Sequence, residues 1–191
     1  MNNFYSIDEL KKMGFKYLGG NNILISRKAS IYGIDNIIIG DNVRIDDFCI
    51  LSGNIKIGNY VHISACVCMF AGETGIELSD FVSVSSRCAV YAKSDDYSGA
   101  VMSNPMVPIK YRHIMSGKVL FEKHTLIGTG STILPGVTIS EGTSIGSMSL
   151  VNRTLDPWGI YVGIPCKKIK NRKKDILELE KNFLNEINNN L

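Results

Sequence analysis

The residues best suited to chemistry in this 191-residue chain are acids, serines and arginines, few of them near a histidine. Asp95 and Asp96 stand in the run YAKSDDYSG, at the start of an irregular stretch. A carboxylate there can take a proton from a substrate, although an Asp in a loop is more often a turn former. Ser85 and Ser86 lie between Val84 and Cys88 at outward positions, where they serve either as a reactive edge or as a solvated wall. Glu73 sits where the sequence pattern slips, which turns its side chain either into a cleft or to solvent. Arg44, Asp46 and Asp47 form an exposed charged cluster, and Arg87 follows the serine pair. The planar fork of Arg suits a diphosphate, while isolated charges at outward corners also serve solubility. The three histidines, His62, His113 and His124, read more readily as surface or packing residues than as bases; His113 lies in the irregular stretch, where it is able to swing over a cleft.

These groups must be positioned by an unusual repeat. Phe121, Ile127, Ile133, Ile139, Ile145 and Val151 are six apart, with Thr125, Ser131, Val137, Thr143 and Ser149 in a companion row. The same period governs Ile39, Ile45, Leu51, Ile57, Ile63 and Met69, accompanied by Val43, Cys49, Ile55, Val61 and Val67. It breaks at Ala71 to Glu77 and resumes at Leu78, Val84 and Val90. Neither a helix nor a lone strand gives a six-residue period, whereas a parallel β-helix does. Gly40, Gly58, Gly128 and Gly146 follow the aliphatic residue, which suggests corners of unusual backbone conformation.

The organisation follows. A capping box (Ser6, Glu9) and Gly14 predict a helix over 6–13. Coils are expected over about 22–92 and 118–165, separated by an inserted loop at 93–117, with a last strand over Ile160 to Ile164. A C-terminal helix is expected over about 174–190, with Ile176, Leu179, Phe183, Leu184 and Ile187 on one face. Both terminal helices are expected to cap the open ends of the coil or to meet another subunit. The fold class is all-β: a left-handed parallel β-helix with a short N-terminal helix and a C-terminal helix, in one domain spanning 1–191. The handedness is what the resemblance below implies.

Composition excludes several classes. A net charge of +3 without aromatic interleaving argues against nucleic-acid binding. No apolar run is long enough for a membrane span, and the N-terminal segment lacks a signal-peptide pattern, so a cytoplasmic enzyme is expected. Five cysteines argue against a disulfide framework. The spacing of His62, Cys66 and Cys68 points their side chains apart along such a coil, and no metal is expected.

The units IGTGST-ILPGVT-ISEGTS-IGSMSL and the closing VGIPCKKIK resemble the left-handed β-helix acyltransferases. NVRIDDFCILSG, GETGIELSDFVSVSSR and SDDYSG are similar to the branch that N-acylates dTDP-4-amino-4,6-dideoxyglucose. This resemblance implies a homotrimer with active sites between prisms, acetyl-CoA as co-substrate and a dTDP-amino sugar as acceptor. It implies CoA contacts at Gly128, Thr129 and Ser147. The basic cluster that follows, Lys167 and Lys168 among it, offers one or two contacts to the CoA phosphates, while most of such a run serves as a solvated helix start. Arg44, Asp46, Asp47, Arg87 and Asp96 are the substrate-binding candidates; Asp95, Ser85 and Glu73 are the catalytic ones. Many relatives in that superfamily place a His at the cleft, and YAKSDDYSG has none. That favours an amine acceptor over the alternative, O-acetylation of a sugar hydroxyl or other small acceptor, because a hydroxyl needs a stronger base.

Overall fold

A computed structural model describes residues 3–189. The chain winds as a three-sided parallel coil matching the left-handed β-helix acyltransferase fold. Its first face stacks Tyr17–Leu18, Ile37–Ile39, the second half of Ile50–Ile57, the second half of Cys68–Leu78, Val119–Phe121 and Thr138–Ile139. The second face stacks Ile23–Ile25, Val43–Ile45, Val61–Ile63, Ser83–Val84, Leu126–Ile127, Ser144–Ile145 and Gly159–Gly163. The third stacks Ser30–Tyr32, the first halves of the two long strands, Ala89–Tyr91, Thr132–Ile133 and Leu150–Val151. The winding begins at Tyr17, a few residues before the expected start.

Both six-residue rows point inward. Phe121, Ile127, Ile133 and Ile139 are fully buried, and so are Ile39, Ile45, Leu51 and Ile63. The companion row is buried too, including the polar Ser131 and Thr143. Ser131 resolves its polarity by donating to the Gly128 and Gly146 carbonyls, and Thr143 by donating to that of Asp156. The slip at Ala71 to Glu77 is a continuous strand that bends across a corner, with a register shift beside Gly53.

The glycines that follow the aliphatic row do a different job from the one their position suggests. Gly40, Gly58, Gly128 and Gly146 are not among the positive-φ residues. A Cβ on Gly58 would lie 2.5 Å from Asp80 Oδ1 and 2.9 Å from the Ser79 carbonyl carbon. These positions are glycine because successive coils touch there. The left-handed backbone falls two residues later, at Asn42, Phe48, Tyr60, Cys66, Phe81, Arg87, His124 and Met148, where non-glycine residues bear the strain. Side-chain acceptors on the same corner tie the coils together: Asn59 Oδ1 accepts from Asp41 N (2.8 Å), and Asp80 Oδ1 from Asn59 N (2.6 Å).

The first helix, α1 (Ile7–Met13), has the expected capping box and a left-handed Gly14, and it buries Leu10 in the core. The second, α2 (Ile176–Asn189), does not cap an end. It runs along the edge between the first and second faces, where Phe183 packs edge-on against Tyr60 and Phe81. Leu179 is exposed rather than on the inner face, because Glu180 occupies that face. Glu180 Oε2 meets the Nε2 of buried His124 at 2.8 Å, Lys123 pairs with the other oxygen, and the His124 ring stacks on Phe81. The far end of the coil is closed instead by an antiparallel hairpin. There Cys166–Asn171, a strand not expected from the sequence, folds back on Gly159–Gly163. Asn190, the expected helix end, lies outside the described residues.

The Glu180 contact carries a pH dependence. Burial pushes its carboxyl up, but the Lys123 and His124 hydrogen bonds outweigh this and hold it below its ordinary value of 4.5. A depressed carboxylate stabilises above the unfolded-state pKa and loses that contribution as pH falls through the folded one. Glu180→Gln is therefore expected to cost about 1–2 kcal/mol at pH 7. Urea unfolding midpoints measured from pH 7 down to pH 3 are expected to show the gap between wild type and variant closing below about pH 4.5.

Candidate active site

With α2 on the first edge, two edges remain open. The edge between the second and third faces carries a stacked column. Asp46 N donates to Ile63 O, Ser64 N to Val84 O, Ser85 N to Ile127 O, Gly128 N to Ile145 O and Gly146 N to Tyr161 O. Ser85 therefore sits one coil from Gly128, about 5 Å away. Next along this edge lie Arg87, exposed and left-handed, half-buried Thr129 and exposed Ser147. Among the described residues Arg87 has no ion pair. Val162 packs over Gly146, and its hairpin partner across the turn is Lys167, with Lys168 opposite Tyr161. The proposed CoA residues and the two lysines thus share one end of one edge.

The expected charged cluster is already engaged. Arg44 Nε donates to Asp46 Oδ1 at 2.7 Å, and His62 Nε2 meets Asp46 Oδ2 at 2.8 Å. Partial burial pushes the Asp46 carboxyl up, but these two bonds prevail and hold it below the ordinary range. Asp47 accepts from Ser26 Oγ and, at 3.0 Å, from Lys28 Nζ; these bonds lower its pKa. His62 is thereby committed to Asp46, and among the described residues no three His, Cys, Asp or Glu groups converge. His124, read from sequence as a surface or packing residue, is the α2 anchor.

The edge between the third and first faces carries the insertion. Lys93–Asp95 pairs antiparallel with Ile114–Ser116, so the stretch expected to be irregular begins and ends as a hairpin. The hairpin overhangs the third face and encloses a cleft of about 510 Å³ lined by Tyr91, Asp95, Tyr97, Arg112, Ile114 and Leu134, among others. Asp95 accepts a weak bond from Asn104 N at 3.3 Å. Asp96 lies outside the cleft lining and closes a turn by accepting from Ser98 N at 2.6 Å; the Ser98 bonds hold its carboxyl below the ordinary range. Glu73 lines a separate groove with Lys16, Lys56 and Lys118. His113 is exposed and is not among the residues lining the cleft.

The three catalytic candidates therefore occupy three places. Ser85 and Asp95 stand on opposite edges of the third face. Sequence reasoning missed Arg112 and the two aromatics, Tyr91 and Tyr97. The available signal was an outward row on the third face, Tyr91 and Leu134, leading directly into or beneath the insertion.

Comparison with known proteins identifies the family. Residues 36–70 match the family model for bacterial transferase hexapeptide (six repeats). The chain is 48% identical over 178 residues to the dTDP-4-amino-4,6-dideoxy-D-glucose acyltransferase of Escherichia coli, covering 92% of each chain. It superposes on AntD, an N-acyltransferase from Bacillus cereus in complex with dTDP and 3-hydroxybutyryl-CoA, with a TM-score of 0.96 and 53% identity. That match covers 98% of this chain and all of the other. A mutant of AntD in complex with dTDP-4-amino-4,6-dideoxyglucose and Coenzyme A matches with a TM-score of 0.95 and 53% identity, covering 97% of this chain and all of that one. Repeat, winding and full-length similarity converge: the chain belongs to the left-handed β-helix, hexapeptide-repeat acyltransferases, alongside the dTDP-4-amino-4,6-dideoxyglucose acyltransferases.

Proposed function

We propose that this enzyme moves the acetyl group of acetyl-CoA to the 4-amino group of dTDP-4-amino-4,6-dideoxy-D-glucose, for surface polysaccharide (O-antigen) assembly in the cytoplasm, and that it works as a homotrimer. One observation carries the reading. Ser85, Arg87 and the Gly128–Gly146 column lie on one open edge, Asp95 lies on the other, and α2 occupies the third. In a threefold ring the two open edges of neighbouring copies face each other, so each cleft unites groups that one chain keeps apart.

The chemistry needs little more. The amine attacks the thioester carbonyl; the C–N bond forms, an oxyanion appears, and the C–S bond breaks to release CoA. The nitrogen becomes strongly acidic as it bonds, so a carboxylate such as Asp95 suffices to take its proton. The Ser85 N–H is spent on Ile127 O, leaving its hydroxyl as the donor for the oxyanion. Arg87 is the uncommitted arginine of this edge and serves the nucleotide, whereas Arg44 is held by Asp46. Gly128, Thr129 and Ser147 form the pantetheine wall, and Lys167 and Lys168 meet CoA phosphates.

Thiol release measured against a panel of dTDP-, UDP- and GDP-linked amino sugars is expected to give the highest kcat/KM with the dTDP-4-amino sugar. No release with any dTDP-amino sugar, or faster turnover of a sugar hydroxyl, would overturn the proposal.

A further inference from the structure

We infer that Arg112, on the inserted segment, binds the diphosphate of the sugar nucleotide and orients its amine toward Asp95. The inference rests on the function proposed above and adds a residue that the sequence did not single out.

Arg112 is half-buried, lines the cleft beneath the hairpin, and keeps its Nε buried with no hydrogen-bond partner among the described residues. Its backbone N–H donates to Ile109 O, which fixes the main chain but leaves the guanidinium uncommitted. A desolvated donor without a partner is rare in a folded chain and points to a contact that a ligand completes. The other charged groups lining the cleft are Lys93 and Asp95. Lys93 is exposed, and its methylenes lie along Gly72, 3.2 Å from where a Cβ there would stand. Among the described residues neither Asp95 nor Arg112 is in an ion pair.

One cleft thus holds a carboxylate and a guanidinium that do not neutralise each other. That arrangement suits a ligand with a cationic nitrogen at one end and an anion at the other. A 4-amino hexose linked through its anomeric carbon to a diphosphate has that polarity, its amine and phosphate lying at opposite ends of one ring. Tyr91, Tyr97 and Leu134 supply apolar walls for a deoxy sugar. The fork of Arg offers two parallel donors to phosphate oxygens, which Lys cannot reproduce.

The test measures affinities of thymidine, dTMP and dTDP for wild type, Arg112→Gln and Arg112→Lys by calorimetry, alongside KM for acetyl-CoA. Wild type is expected to gain affinity with each phosphate. In Arg112→Gln the gain from dTMP to dTDP is expected to shrink about tenfold, the size of a lost charge-assisted contact. Arg112→Lys is expected to recover part of it, with thymidine affinity and the acetyl-CoA KM unchanged. Equal weakening of all three ligands would mark a structural role and overturn the inference. So would an unchanged ladder in an active enzyme. A wild type that neither binds dTDP nor acylates a dTDP-amino sugar would instead sink the functional proposal, and this inference with it.

Discussion

Asp95→Asn is expected to lower kcat about 100-fold while leaving KM for acetyl-CoA within about threefold, because it removes a proton acceptor and not a binding surface. The amide keeps the shape of the carboxylate and its acceptor for Asn104 N, so the hairpin should fold as before. The more discriminating result comes from mixing. If each cleft takes Ser85 from one copy and Asp95 from its neighbour, Asp95→Asn and Ser85→Ala chains are each inactive alone. Refolded together at equal amounts, about one cleft in four receives both intact groups, and about a quarter of wild-type activity returns. No recovery in a mixed oligomer would place both groups on one chain and contradict the cleft proposed above. Wild-type kcat in Asp95→Asn would leave proton removal to solvent and remove Asp95 from the reaction.

The winding was readable because its cause is local and repeated. Every sixth residue must fill the same interior, and from Ile39 to Val151 the two rows mark that interior with few exceptions. Corner chemistry was less readable. A glycine in sequence does not say whether it is needed for its φ or for lack of a Cβ; Gly58 needs the second and Gly142 both, having a φ of +66 and the Trp158 ring where its Cβ would stand. The site was only partly readable for a different reason. Outward positions carry no period, so Arg44 and Asp46 looked free, although they are two residues apart on one strand end and close on each other. The packing role of His124 had no partner visible in sequence because Glu180 is 56 residues away. Arg112 lies in an insertion without a repeat, and only the hairpin pairing of Lys93–Asp95 with Ile114–Ser116 brings it beside Asp95.

Gly128→Val tests the close stacking on which both the coil and the CoA wall depend. A Cβ at Gly128 would lie 2.5 Å from Ser147 N, 2.7 Å from the Gly146 carbonyl carbon and 2.7 Å from Ile145 O, all backbone of the next coil. Backbone cannot rotate aside, so the coils must part, and the 2.8 Å bond from Gly128 N to Ile145 O stretches with them. The expected cost is about 3 kcal/mol or more, at the upper end of overpacking penalties. Thermal melting should fall by roughly 6–12 °C for a chain of this size. Propensity alone argues the other way, since Val favours strands and Gly does not. Two further glycines calibrate the result. Gly146→Ala meets the Val162 side chain at 2.7 Å, which can turn, and should cost less than Gly128→Val. Gly20→Ala meets nothing within 4 Å and should stay within about 0.5 kcal/mol of wild type. At a temperature where Gly128→Val remains folded, its acetyl-CoA KM should rise at least about tenfold with dTDP affinity unchanged, since parting the coils displaces the Gly146–Ser147 backbone of the proposed pantetheine wall. A Gly128→Val protein that melts with wild type would mean that the coils tolerate separation at this edge, and the low wall assigned to CoA would lose its physical basis.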